Sequence, residues 1–452
     1  ERSIMNREAI RLTVVILSIA FVDGLTPAVT AGQTEASGPL SSRYTKQEFQ
    51  IPMRDGVRLY AAVYAPKDTS KEYPFLMTRT PYGCGPYGPN FLPPVIHPST
   101  YLQDEGYIFV CQDVRGRFMS EGSFDNMRPH VPGESPIDES SDTYDTIEFL
   151  LENVDGHNGR VGQWGISYPG FYTAAALPEA HPALVASSPQ APIADFFFDD
   201  FHHHGAYTLA YWFVNPVFSV QHDGPTQGFW FSFPQPTTGD SYQFYLDLGP
   251  LKNTSEYYGE EHFFWQQLVE HPNYDEFWQR RNILPHLRDV GHAVMTVGGW
   301  FDAEDLYGPL QIYRTLEQEN PTDYNVLVMG PWSHGQWAEA EPVQRVGYVE
   351  FGEGISDYYR REIEAPFFRH FLKDEGEMNL PEAYDFETGT NQWRTFGDWP
   401  PQGTEEGYLY PGPEGSLSFQ PQSPGGTPYD EWVSDPANPV PSNQDIAIGM
   451  TR

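Results

Sequence analysis

The chain runs to 452 residues, a length that suggests two or three domains, and its 39% hydrophobic and 15% aromatic content excludes a disordered protein. With 62 acidic against 26 basic residues the formal charge is −36, a field that repels phosphate backbones and anionic surfaces and so excludes nucleic acid as a partner. The excess is spread along the whole chain and reads as a strongly solvated acidic surface.

At the start, Arg7 and Arg11 precede the apolar run "LTVVILSIAFV" at 12–22, and "AVTA" at 28–31 supplies small residues for cleavage after Ala31. Residues 1–31 therefore read as a secretory signal, with Met5 as initiator and residues 1–4 as upstream readthrough. The run is too short for a comfortable membrane span, so the mature protein is expected to be periplasmic or secreted, with no membrane contact after cleavage.

Next, "YPFLMTRTPYG" (73–83) and "GYIFVCQDVRG" (106–116) each pass from an apolar strand into a turn. Cys84 and Cys111 lie just after these likely strands and admit two readings, a disulfide or two buried thiols. A helix follows in "DTYDTIEFLLEN" (142–153), with Tyr144, Ile147, Leu150 and Leu151 at helical spacing and acids at its start that suit the helix dipole. "RVGQWGISYPGFYTAAAL" (160–177) reads as strand, sharp turn and helix, with Pro169 in the first helical turn.

From 192 to 290 the aromatic-rich segments "DFFFDDFHHHGAYTLAYWF" and "EHFFWQQLVEHPNYDEFWQRR" predict an inserted helical cap. Strand and helix then resume in "HAVMTVGGWFD" (292–302), "YGPLQIYRTLEQE" (307–319) and "YNVLVMGPWSH" (324–334). This alternation predicts an α/β fold: residues 40–191 and 291–375 form one mainly parallel sheet, with functional groups on loops at the strand C-terminal ends. From 376 to 452 short strand-like pieces between Pro and Gly predict the start of a C-terminal β-sandwich, too short to complete one.

"GISYPG" (165–170) sets Ser167 at a strand-to-helix turn, which exposes the hydroxyl and frees the next backbone N–H to meet an oxyanion. On this motif alone a serine capping a helix is an equal reading, and Pro169 stands where G-x-S-x-G has glycine. Serine needs a base and an acid to act as a nucleophile. Asp302 and His334 follow later strands, giving the chain order Ser167, Asp302, His334 of an α/β-hydrolase triad.

Together with "RTPYG", "QDVRGRFMSEG", "FDDFHHHGAY", "GGWFDAEDLYG" and "GPWSHG", this elbow resembles the serine hydrolases that include cocaine esterase, the X-Pro dipeptidyl peptidases and, nearest, the α-amino-acid ester hydrolases. The resemblance runs from "IPMRDGVRLYAAVYAP" (51–66) to "WRTFGDWPP", nearly all of the mature chain. It implies an α/β-hydrolase fold with a helical cap and the start of a C-terminal jelly roll. It also implies an oxyanion hole from the Tyr82 hydroxyl and the Tyr168 N–H, and an ammonium-binding cluster of Asp200, Glu304 and Asp305.

The acids of "GGWFDAEDLYG" exceed what a triad needs, and a substrate ammonium accounts for their crowding. Calcium would want six or more oxygens, and the adjacent histidines 202–204 cannot easily converge on one tetrahedral zinc, so neither a metal nor another cofactor is expected. The implied substrate is a small α-amino-acid ester or amide; the cap rings Phe196–Phe198 and Phe201 admit two readings, a preference for a bulky apolar side chain or plain core, and a homo-oligomer is compatible with the sequence. The competing readings are a β-lactam side-chain acylase of the glutaryl-7-ACA type, a general carboxylesterase, an X-Pro dipeptidyl peptidase, and a binding protein with an idle triad.

Overall fold

A computed structural model describes residues 39–133, 137–233, 240–320, 324–339, 343–377, 380–412, 415–421 and 431–438. The expected signal at 1–31 lies outside these residues. Among the described residues no helix is long and apolar enough to cross a membrane.

Ten strands form one sheet: β1 (Tyr44–Pro52), β2 (Arg58–Pro66), β3 (Tyr73–Thr80), β4 (Ile108–Asp113), β5 (His157–Ile166), β6 (Leu184–Gln190), β7 (Ala293–Gly299), β8 (Asn325–Gly330), β9 (Ala383–Glu387) and β10 (Gln392–Phe396). Their order is β1-β2-β4-β3-β5-β6-β7-β8-β9-β10. From β4 through β9 every neighbouring pair is parallel, whereas β1 and β2 at one edge and β10 at the other run antiparallel to their neighbours. The central strands are covered on both faces, which is why "AVMTVGG" and "NVLVMG" are buried at every position and show no polar alternation.

The helices that matter for the site are α1 (Glu139–Asn153), α2 (Tyr168–Ala175), α3 (Ala210–Ser219), α4 (Ser241–Leu248), α5 (Phe263–Glu270), α6 (Tyr307–Glu319) and α7 (Ala365–Lys373). Asp138 caps α1 through the Ser141 N–H at 2.8 Å, and the Ser141 hydroxyl returns a bond to the Asp138 N–H. The acids of its first turn do more than complement the dipole. Glu139 and Asp142 are buried and meet Arg79 at 3.1 Å and Arg115 at 2.6 Å, so α1 ties down the end of β3 and the loop that follows β4.

α3, α4 and α5 belong to the expected cap at 192–290, and their rings share one core with α2: Tyr168 and Tyr172 pack in the same cluster as Phe196, Phe201, Trp212, Phe264 and Trp278. Of the two readings of the cap rings, Phe196, Phe197 and Phe201 take that of core, while Phe198 is exposed. Phe196 and Phe201 are fully buried, with Phe196 edge-on to Phe201 and stacked on Phe264, and Phe197 is buried against Trp278. Burying each such ring contributes roughly 1.5–3 kcal/mol to holding the cap on the sheet.

The domain boundary expected at 376 also moves. β9 pairs with β8 in parallel and β10 turns back on β9, so residues 383–396 extend the main sheet. Trp300, in the loop after β7, donates its indole N–H to Asp385 at 2.6 Å and fixes β9 there. Beyond β10, a hairpin of Tyr410–Gly412 and Ser416–Ser418 is compatible with the start of a C-terminal β domain.

Cys84 and Cys111 form a disulfide, which settles the two open readings of that pair. It joins the loop after β3 to β4.

Candidate active site

Ser167 is the hinge between β5 and α2. Its φ of 68° and ψ of −128° lie where non-glycine residues are rare, and such strain concentrates at functional sites. The turn is tight enough to need glycine on both sides. A Cβ on Gly165 would stand 2.4 Å from the Pro169 carbonyl, and one on Gly170 would stand 2.6 Å from the Gln190 oxygen. Gly170 thus takes the part that glycine two residues after the serine usually plays, which leaves position 169 open to proline. The Ser167 N–H donates to Gln190 at 2.9 Å, so the Tyr168 N–H begins α2 among those a helix leaves without an internal acceptor.

Asp302 and His334 are brought together by the loops after β7 and β8. The Trp300 N–H donates to the Gly330 carbonyl at 2.9 Å and the Phe301 N–H to the Trp332 carbonyl at 3.0 Å. Gly299 is required for this approach, because a Cβ there would lie 2.3 Å from the Trp332 oxygen. At the end of the zipped loops, Asp302 Oδ2 lies 2.8 Å from His334 Nδ1. Asp302 Oδ1 accepts from the N–H groups of Glu304 and Asp305, each at 2.9 Å, so the turn wraps around its carboxylate. The spacing D-x-E-D is the sequence trace of that turn, and the wrapping carries the two further acids into the site.

Asp200 arrives from the cap. It sits on a widened helical turn, Phe197–Phe201, in which the Phe201 N–H reaches back to the Phe196 carbonyl at 3.3 Å. The neighbouring Asp199 locks this turn in place: it accepts from the Ala194 and Asp195 N–H groups at 2.8 and 3.1 Å, and from the Gly308 N–H of α6 at 2.7 Å. The Tyr211 phenol of α3 lies within hydrogen-bonding contact of both Asp200 Oδ1 and Glu304 Oε1. Asp200 and Glu304 therefore meet at the Tyr211 phenol, which no motif announces, while Glu304 and Asp305 both approach His334.

All these groups are buried, with Asp200 2%, Asp305 0% and His334 6% exposed. Burial and then the Glu304 charge raise the Asp200 pKa well above its usual value; burial and then Asp200 and Glu304 do the same to Asp305. Burial alone would lower the His334 pKa, but Asp302, Glu304 and Asp200 outweigh it and hold it up at about 9. Glu304 Oε2 stands 3.7 Å from His334 Nε2, and Asp305 Oδ2 stands 3.8 Å from Nδ1. His334 Nε2, Asp200 Oδ2 and both Asp305 oxygens are buried with no hydrogen-bond partner. Four acids crowd one imidazole, and the raised pKa values of Asp200 and Asp305 express that crowding, which a cation would relieve.

Tyr82 stands edge-on to Tyr168, ring centroids 6.5 Å apart, beside the elbow. The Tyr168 phenol itself turns away, accepting from the Met127 N–H at 2.7 Å and donating to Asn126 at 3.2 Å, so only its backbone is available to an oxyanion. Arg117 steadies the Tyr82 loop from behind by donating to the Pro81 carbonyl at 2.9 Å. Of the three consecutive histidines, His202 stacks on Phe197 and His203 bonds the Asp199 carbonyl at 2.7 Å. Glu304, Asp305 and His334 offer ligand atoms within 4.8 Å of one another, enough to contact a metal ion. His334 Nδ1 is already engaged by Asp302, so an ion there would have to take Nε2.

Residues 55–336 match the X-Pro dipeptidyl-peptidase (S15 family). Cocaine esterase of Rhodococcus sp. (strain MB1 Bresler) is 27% identical over 428 residues, 87% of this chain and 68% of that protein. Among solved structures, an aminopeptidase from the marine sediment archaeon Thaumarchaeota archaeon superposes with a TM-score of 0.80 at 32% identity, over 93% of this chain and 69% of that one. An α-amino acid ester hydrolase labelled with selenomethionine superposes at 0.79, also 32% identical, over 92% of this chain and 69% of that one. This chain spans about two thirds of the length of each of these relatives. It belongs to the X-Pro dipeptidyl-peptidase (S15) family of serine hydrolases, alongside cocaine esterase, and carries their α/β-hydrolase fold.

Proposed function

We propose that the protein is an exported serine hydrolase that cleaves esters, and also amides, of α-amino acids bearing a free ammonium group. The observation that carries this reading is the buried acid cluster of Asp200, Glu304 and Asp305 next to the His334–Asp302 pair. In this mechanism His334 Nε2 takes the Ser167 proton, and Oγ attacks the acyl carbon. The Tyr82 hydroxyl and Tyr168 N–H hold the oxyanion, and His334 returns the proton to the leaving group. Water, activated by the same imidazole, then releases the acid. Asp302 holds the ring in the tautomer that presents Nε2.

The three acids hold the substrate's ammonium beside the acyl carbon. At ~4 Å one such charge pair is worth roughly 4 kcal/mol at an effective dielectric near 20, before desolvation is subtracted. A neutral acyl group leaves the acids' mutual repulsion in place, so the same cluster that attracts a cation rejects its absence. The solved relative named as an aminopeptidase supports amides as well as esters, because an N-terminal residue presents the same ammonium at the same distance from its carbonyl. Residues 1–31 and the Cys84–Cys111 disulfide support export, since disulfides persist in oxidising compartments.

The test is a pair of substrates, phenylalanine methyl ester and its N-acetyl derivative, on wild type and Asp200→Asn. Wild type is expected to prefer the free amine by at least ~100-fold in kcat/KM, and Asp200→Asn to lose most of that preference. Equal rates on the two esters would overturn the reading.

A further inference from the structure

The acid cluster and the triad are one charge system. Glu304 Oε2 approaches Nε2 of His334, the nitrogen that must accept the serine proton, to 3.7 Å, while Asp302 and Asp305 approach Nδ1 at 2.8 and 3.8 Å. From the cap, Asp200 meets Glu304 through the Tyr211 phenol, and Asp199 adds its charge to Asp200 and Asp305. The acids acting on the imidazole are thus Asp302, Glu304 and Asp305 from the loop after β7 and Asp200 from the widened turn, with Tyr211 of α3 between Asp200 and Glu304. The basic group placed against Asp302, Glu304 and Asp305 is His334 itself.

We propose that Glu304 determines specificity through His334. With no substrate cation its carboxylate holds the ring as imidazolium, and a bound ammonium takes over the cluster and releases the Nε2 proton, so the base forms only when a cationic substrate is in place. The proposal rests on the amino-ester reading above and adds the step at which selectivity is exerted: kcat as well as KM.

The charges balance. One ammonium enters and one proton leaves Nε2 for solvent. The freed Nε2 lone pair then accepts the Ser167 hydroxyl proton as the Oγ–acyl bond forms. When the ester C–O bond breaks, Nε2 passes that proton to the departing alkoxide. A neutral ester of the same shape can occupy the pocket, but it finds His334 still protonated. The raised pKa of His334 agrees with this arrangement.

The experiment compares the pH dependence of kcat, which reports groups in the bound complex, for phenylalanine methyl ester and methyl 3-phenylpropionate, its analogue without the amine. For wild type the acid limb of kcat is expected at least about one pH unit lower with the amino ester, a difference of ~10-fold in kcat near pH 7. In Glu304→Gln the limb for the desamino ester should fall towards the amino-ester value, raising its kcat near pH 7 several-fold. A single acid limb shared by both substrates in wild type, with the amine preference confined to KM, would remove the gate and leave the amino-ester reading standing. Equal kcat/KM for the two esters would remove both.

Discussion

One phenol proton serves two acids: the Tyr211 hydroxyl contacts Asp200 Oδ1 from the cap and Glu304 Oε1 from the loop after β7. It can donate fully to only one of them, so the pair is relieved when one acid keeps a proton, in line with the raised Asp200 pKa. An incoming ammonium, with three donors, serves both acids at once. Tyr211→Phe removes the bridge while keeping the ring. It should lower kcat/KM for an amino ester by roughly 10–100-fold, as expected for losing a hydrogen bond of about 1.5–3 kcal/mol to a charged group. The N-acetyl ester should change by less than about threefold; a uniform loss on both would place Tyr211 in the fold and not in the clamp.

Asp305 is the acid whose burial is least compensated, since neither of its oxygens has a hydrogen bond. A carboxyl whose pKa is raised on folding holds its proton more tightly in the folded chain. The stability it contributes is complete below the unfolded value near ~3.9 and is lost as pH rises towards the folded value. His334 acts in the same direction, its contribution being lost as pH rises through about 9. Asp305→Asn should therefore be more stable than wild type near pH 8, by roughly 1–3 kcal/mol, with the gap closing near pH 4. Amino-ester kcat/KM should fall at least ~10-fold in the same variant. Thermal melts at the two pH values read this directly, and a variant no more stable at pH 8 would contradict the account.

Much of this architecture is legible in the chain because it is written in local patterns. The buried strands "AVMTVGG" and "NVLVMG", the elbow around Ser167 and the strand-end positions of Asp302 and His334 need only neighbours in sequence to be recognised. What escapes is set by distant contacts. β9 and β10 show strand character, but only the β8 edge and the Trp300–Asp385 bond decide which sheet they join. Phe196 and Phe201 read the same whether they line a pocket or fill a core, until Phe264 is seen against both. Tyr211 carries no motif because its partner Glu304 lies across the cap boundary, and Asp199, although inside "FDDFHHHGAY", cannot be told from Asp200 in its role until the Gly308 N–H is seen on it.

The seam between cap and sheet gives a third prediction. Gly308 has no room for a side chain, since a Cβ there would lie 1.7 Å from the Pro192 oxygen, and its N–H holds Asp199. Gly308→Ala must part this contact and displace the turn that carries Asp200. The expected result is a clear drop in melting temperature together with a loss of preference for the free amine. Gly291→Ala is the control, because a Cβ there meets nothing within 4 Å. If Gly308→Ala melts and discriminates like Gly291→Ala, the seam does not position the clamp.

The Cys84–Cys111 disulfide poses the opposite case, a constraint near the site that should matter for stability more than for catalysis. It closes a loop with a sequence separation of 27, for which chain entropy in the unfolded state predicts about 3–4 kcal/mol of stabilisation. Cys84 follows Tyr82 closely, so the bridge is a natural candidate to hold Tyr82, the oxyanion donor of the proposed mechanism. The loop has a second anchor, however: the Cys84 N–H donates to Asp113 Oδ1 at 2.7 Å, and Asp113 Oδ2 accepts from the Tyr87 phenol at 3.1 Å and the Met119 N–H at 3.1 Å. Those bonds do not depend on the sulfurs. The double variant Cys84→Ala/Cys111→Ala should lose several degrees of melting temperature while keeping kcat within about fivefold at 25 °C. A large fall in kcat with an unchanged melting temperature would mean that the sulfur bridge, and not Asp113, holds Tyr82 in place.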